Sequence, residues 1–107
     1  MLIDAIVLLR SIFKNKKYKM PRIHKKNGQV EPYSSEKLKY GVIHACRAVL
    51  TPLGAAERFA SEVEKKISAS IAKHSAMTSR DLKRLTKNAL YLYHADAAEV
   101  YAIAEEF

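Results

Sequence analysis

The sequence predicts an α+β fold, mainly α, with an N-terminal β-hairpin packed on a bundle of about four helices. Three observations predict it. Asn27-Gly28 lies between two extended stretches, Arg22–Lys25 and Gln29–Glu31, and Asn-Gly in that setting is the strongest short-range hairpin signal, through a type I′ turn with φ > 0 at both central residues. After Glu36, apolar residues recur at helical spacing in successive stretches. The 107 residues contain only three Gly and three Pro, too few for a many-turned β-barrel.

Length and composition narrow the possibilities further. A chain of 107 residues suits one domain able to bury its own core. It leaves little room for a large catalytic domain with its own substrate pocket. Apolar residues make up 49% and charged residues 28%, too hydrophobic for a disordered tail. The single cysteine, Cys46, excludes an internal disulfide framework and any Cys-rich zinc module. The formal net charge is +8. Between Arg10 and Lys39 stand ten basic residues and two acidic ones, Glu31 and Glu36, so that stretch carries the whole excess. Such a field attracts an anion: nucleic acid, an anionic membrane surface or nucleotide phosphates.

Taken in order, the elements read as follows. Residues 2–13 are apolar apart from Asp4, Arg10 and Ser11. They fall short of the roughly 20 residues that span a bilayer and lack the layout of a secretory signal. An amphipathic helix lying on this domain or on a partner fits them, followed by a solvated linker at Lys14–Lys19. Residues 1–20 thus read as an extension and residues 21–107 as the domain. Pro32 closes the second strand, and Ser34 or Ser35 offers an N-cap oxygen, with Glu36 in the first turn of a helix to about Leu50. Its apolar face is Leu38, Val42, Ala45, Cys46 and Val49. Thr51-Pro52-Leu53-Gly54 breaks the chain. A second helix, from about Ala55 to Lys73, buries Ala56, Phe59, Ala60, Val63, Ile67 and Ile71. A loop at His74–Thr78 leads to a third helix capped by Ser79, with Leu82, Leu85, Ala89 and Leu92 inward. A last short helix packs Val100, Tyr101, Ala104 and Phe107.

One constellation carries chemistry: Ile23-His24-Lys25-Lys26-Asn27-Gly28-Gln29-Val30-Glu31-Pro32-Tyr33-Ser34-Ser35-Glu36-Lys37-Leu38. It sets two lysines beside a tight turn, a carboxylate on the return strand and a lysine in the first turn of a helix. A rigid hairpin presents ammonium groups to a polyphosphate with little further ordering, and the helix start adds free N–H groups and the positive dipole end. Spacing leaves Glu31 open between two roles. One is an acceptor for an exocyclic amine or ribose hydroxyl. The other is a surface salt bridge to Lys25 or Lys37 worth under about 1 kcal/mol.

The same stretch resembles the opening of an ATP-cone, the nucleotide-binding module at the N-terminus of many ribonucleotide reductase large subunits. The module also occurs in the bacterial repressor of reductase genes and ahead of some archaeal kinases. The resemblance rests on Ile23, Lys25-Lys26, Asn27-Gly28, Glu31-Pro32-Tyr33, Ser34 and Lys37-Leu38. Ser79-Arg80-Asp81-Leu82 is similar to the family's second landmark, and Asp96–Phe107 matches the final helix more loosely. It implies a cytoplasmic, non-catalytic allosteric module that takes ATP, dATP or a related adenine nucleotide, with Mg2+ accompanying the nucleotide. In this reading Lys25 and Lys26 meet the phosphates and Ile23 lines the base. Glu31 and Ser34 recognise the adenine and sugar side, Lys37 reaches in from the helix start, and Ser79 with Lys83 closes the pocket. Where many members carry an Arg in the last helix, Ala98-Glu99-Val100-Tyr101 has none, so Lys83 or Lys87 would have to supply that contact. Implied partners are a protein that reads the bound state, a reductase subunit by analogy, or a second copy.

Two other function classes compete. A small basic nucleic-acid-binding protein would use the Arg10–Lys39 field on phosphates and would need neither a pocket nor Glu31. A membrane-surface anchor would use Leu2–Phe13 and the lysines after it. The histidines at 24, 44, 74 and 94 lie on different elements with no His-x3-His pair, so no metal is expected. Tyr91 and Tyr93 offer aromatic rings for stacking or for packing. There is no P-loop pattern and no Ser/His/Asp arrangement.

Overall fold

The computed structural model describes residues 21–104. The helix expected over 2–13, the linker after it and the packing of Phe107 lie outside the described residues.

Strands β1 (Arg22–His24) and β2 (Val30–Pro32) pair antiparallel with Ile23 opposite Glu31. The turn between them is not type I′. Gly28 alone of its residues has positive φ, at 88°. The Lys25 N–H donates to the Gln29 carbonyl at 2.8 Å, and the Gly28 N–H to the Lys25 carbonyl at 3.1 Å. Lys26-Asn27-Gly28 therefore form a three-residue loop in which glycine takes the left-handed position. The Asn27 side chain decides this: its Oδ1 accepts the Gln29 N–H at 2.9 Å, building an Asx turn onto the loop.

Helix α1 (Ser35–Ala48) starts on Ser34, whose hydroxyl accepts the Lys37 N–H at 3.1 Å. It ends in a Schellman motif, with the Thr51 N–H on the Cys46 carbonyl and the Leu50 N–H on the Arg47 carbonyl, both at 3.0 Å. Leu50 occupies the left-handed position usually given to glycine, at φ 65°. Helix α2 (Leu53–Ile71) begins two residues ahead of expectation, with Pro52 as its cap residue. A proline there removes only an N–H the helix does not use, so Pro52 and Gly54 sit at the helix start and leave it unbroken.

The expected loop at His74–Thr78 contains a third strand, β3 (Ala76–Thr78), parallel to β1 with Met77 opposite Ile23. The sheet order is β2-β1-β3. Three residues carry no readable alternation, and the strand exists because β1 has a second edge to fill. Strand pairing also moves the cap of α3 (Ser79–Tyr91). Thr78, extended at the end of β3, accepts the Asp81 N–H on its hydroxyl at 3.0 Å, and Ser79 becomes the first helical residue.

The core joins Leu38, Val42, Ala45 and Cys46 of α1 with Ala56, Ala60, Val63, Ile67 and Ile71 of α2. Leu90 of α3 and Ala97, Ala98 and Tyr101 of α4 (Ala95–Ile103) complete it. The α3 stripe differs from expectation at its end. Leu90 is fully buried while Leu92 is 76% exposed, because the helix stops at Tyr91 and leaves Leu92 in the following turn. Among the described residues, no helix is long and apolar enough to cross a membrane.

Candidate functional site

The hairpin, the start of α1 and the start of α3 line an open cavity of about 450 Å³. All eight residues singled out from the sequence line it: Ile23, Lys25, Lys26, Glu31, Ser34 and Lys37 from the first block, and Ser79 and Lys83 from α3. Asn27, Pro32, Leu38, Leu82 and Tyr101 complete the wall. Leu82 and Tyr101 were legible only as core residues, by their spacing, and their second role follows from where α3 meets α4.

Local structure places each side chain. Antiparallel pairing sets Ile23 opposite Glu31, and Ile23 is buried to 4% exposure with Leu38 at 5% and Tyr101 at 7%. These three give the cavity an apolar floor. Lys25 flanks the loop that Gly28 and Asn27 hold in shape, and Lys26 is its first residue. Two helix N-termini open on the cavity, since Ser34 caps α1 and Ser79 begins α3. Their first N–H groups have no partner within the helix, and both dipoles point their positive ends inward. The Ser34 hydroxyl accepts from Lys37 as a cap and retains its own proton to donate.

Charge follows the same layout. Among the described residues, four lysines and one glutamate line the cavity, a net of +3. Glu31 sits between two of the lysines, 2.9 Å from Lys37 Nζ and 3.7 Å from Lys25 Nζ. The Lys37 hydrogen bond, helped by the charges of both lysines, holds its carboxyl below the usual glutamate value. Both salt bridges foreseen for Glu31 are thus formed. Lys83 Nζ stands 6.0 Å from the Tyr101 ring centroid, at the outer limit of cation–π contact. Burial raises the Tyr101 hydroxyl above its ordinary pKa, so the floor stays neutral.

A cationic wall, two helix starts and an apolar floor form a receptor for an anion joined to a flat apolar group. The family model for the ATP cone domain matches residues 21–107. The chain belongs to the ATP cone domain family. No curated protein matches it significantly.

ATP cones are regulatory, non-catalytic modules that bind nucleotides, ATP and dATP in general. In this ATP cone the family match contains every cavity residue named above. His24, His44 and His74 are exposed, and His94 Nε2 lies 2.9 Å from the Thr51 hydroxyl with its ring edge-on to Phe59. Among the described residues, no group of three or more His, Cys, Asp or Glu could hold a metal ion.

Proposed function

We propose that this ATP cone binds ATP or dATP in the cavity between the hairpin and α3 and reports its occupancy to a protein partner. The observation that carries this reading is the convergence of two separate stretches of sequence, Ile23–Lys37 and Ser79–Lys83, on one cavity with a cationic wall and an apolar floor. Residues 21–107 form the binding unit, and residues 1–20 are an extension available to the partner contact.

Lys25 and Lys26 take the triphosphate, and the helix starts at Ser34 and Ser79 add N–H donors. Mg2+ enters with the nucleotide. Ile23 packs on the base. The Glu31 carboxylate accepts from the adenine amine or a ribose hydroxyl, and Ser34 donates on the same side. A guanine would turn its carbonyl oxygen where adenine turns the amine, and two acceptors would then face each other. Lys37 serves both partners, holding Glu31 and reaching the nucleotide, while Ser79 and Lys83 close the pocket. In a non-catalytic module of this family the nucleotide is a signal that leaves unchanged. Binding favours one arrangement of hairpin and helices over another, and the partner reads the difference.

Calorimetric titration of ATP, dATP and GTP into the wild type, Lys26→Ala and Glu31→Ala tests this. The expected result is saturable adenine-selective binding, lost with Lys26→Ala and made less selective by Glu31→Ala. Absence of binding by all three nucleotides overturns it.

A further inference from the structure

The outer face of α3 carries a second set of groups that the cavity does not use. Arg80, Arg84, Lys87 and Tyr91 fall within an arc of about 60° on the helix, opposite its buried side, and extend for about 16 Å. Arg80, Arg84 and Tyr91 are exposed and Lys87 is half-buried. With Lys26 and Lys83 the three cations line a groove of about 750 Å³ beside the C-terminal end of α4. Among the described residues, no carboxylate lines that groove. Asp81, in the first turn of α3, pairs with Arg84 at 3.3 Å and leaves its side chain 63% exposed.

The two tyrosines at the end of α3 have different surroundings. Tyr93 packs against Phe59 with ring centroids 6.1 Å apart and has Lys66 Nζ 6.0 Å from its ring. Tyr91 is 49% exposed, in line with Arg84 and Lys87. A row of cations ending in an exposed aromatic ring is the pattern that tracks a phosphodiester backbone and stacks an unpaired base. A duplex keeps its bases stacked and offers a ring nothing to pair with, so the aromatic end selects a single strand.

We propose that the outer face of α3 docks single-stranded nucleic acid, with Arg80, Arg84 and Lys87 on the phosphates and Tyr91 under a base. The groove shares Lys26, Ser79 and Lys83 with the cavity, whereas Arg80, Arg84 and Lys87 line the groove alone.

The test is fluorescence anisotropy of labelled mixed-sequence DNA and RNA oligonucleotides, single-stranded and duplex, with the full chain across a salt series. Tyr91→Ala is expected to weaken single-strand binding at least about fivefold, with Tyr91→Phe retaining it. The double variant Arg80→Ala/Arg84→Ala is expected to lower the slope of log affinity against log salt by about 1.4. Circular dichroism and ATP calorimetry on each variant report the fold and the cavity separately. Single-strand binding that all three variants leave unchanged overturns the proposal, because the strand then rides on the lysines before Pro21. Absence of single-strand binding at low salt, preference for duplex, or equal loss with Tyr91→Phe overturns it as well.

Discussion

The Tyr33 hydroxyl donates to Glu64 Oε2 at 2.9 Å, tying the corner between β2 and α1 to the middle of α2. Ser68 donates to the same oxygen. Tyr33 lies between Pro32 and Ser34, both of which line the cavity, so this bond holds the cavity wall against the core. Tyr33→Phe is expected to cost about 1–2 kcal/mol in denaturant unfolding, the worth of a hydrogen bond to a charged acceptor in a half-buried place. Burial is the first cause that raises the Tyr33 hydroxyl well above its ordinary pKa of 10.0, and the Glu64 carboxylate adds to it. A raised pKa contributes stability that is fully present below the unfolded-state value and is lost as pH rises through the folded-state one. Stability is therefore expected to fall above about pH 10, and the phenolate absorbance titration of Tyr33→Phe should lack one late-titrating group.

Lys37 and Glu31 separate a structural role from a binding one. Their side chains are 45% and 37% exposed, so the pair itself contributes no more than about 1 kcal/mol. Lys37→Ala is expected to leave the unfolding midpoint nearly unchanged while lowering ATP affinity about tenfold, the loss of one charge-assisted hydrogen bond. The lowered carboxyl of Glu31 keeps its charge above its ordinary value of 4.5 and loses it only as pH falls through the folded-state value. Its contribution to adenine selectivity should accordingly hold as pH falls from neutral to the carboxyl's ordinary value of 4.5 and fade only below that. Parallel thermal melts and calorimetry decide the point.

Thr78 and Ser79 divide two tasks that look interchangeable in sequence. Thr78→Ala removes the cap of α3 and is expected to cost about 0.5–2 kcal/mol. Ser79→Ala leaves the cap intact and is expected to change stability by a few tenths of that. It should weaken ATP binding instead, because Ser79 faces the cavity. Unfolding and titration of the two variants should give opposite rankings.

Leu50 sits at φ 65° with 89% of its surface exposed. The left-handed conformation costs a residue with a Cβ about 1–2 kcal/mol, and exposure returns almost nothing for it. Leu50→Gly is expected to stabilise the protein by about 0.5–1 kcal/mol after the entropy of glycine is counted. A rise in the thermal midpoint checks it.

Much of this molecule is legible in local patterns. The α2 stripe from Ala56 to Ile71 repeats at helical spacing, and all of it but Phe59 is fully buried. The hairpin announces itself through Asn27-Gly28. Six of the eight cavity residues were legible through the order of a family opening, and Ser79 and Lys83 through its second landmark, which local patterning alone would not have assembled. The cavity itself brings the two blocks together over some fifty residues, since Ser79 and Lys83 meet Lys25 and Lys26 only after α1 and α2 have turned the chain back.

What local reading missed depends on partners distant in sequence. Ala76–Thr78 become a strand because β1 lies beside them, and that pairing makes Thr78 the cap in place of Ser79. The loop after β1 takes three residues because the Asn27 side chain bonds to Gln29. Tyr91 and Tyr93 differ because Phe59 of α2 covers one and nothing described covers the other. The helices, the hairpin and the chemistry of the wall can be read along the chain, since periodicity, capping and turn residues act within a few positions. β3, the cap of α3, the Tyr33–Glu64 tie and the apolar floor come into being on folding, because each requires contacts between segments that lie far apart along the chain.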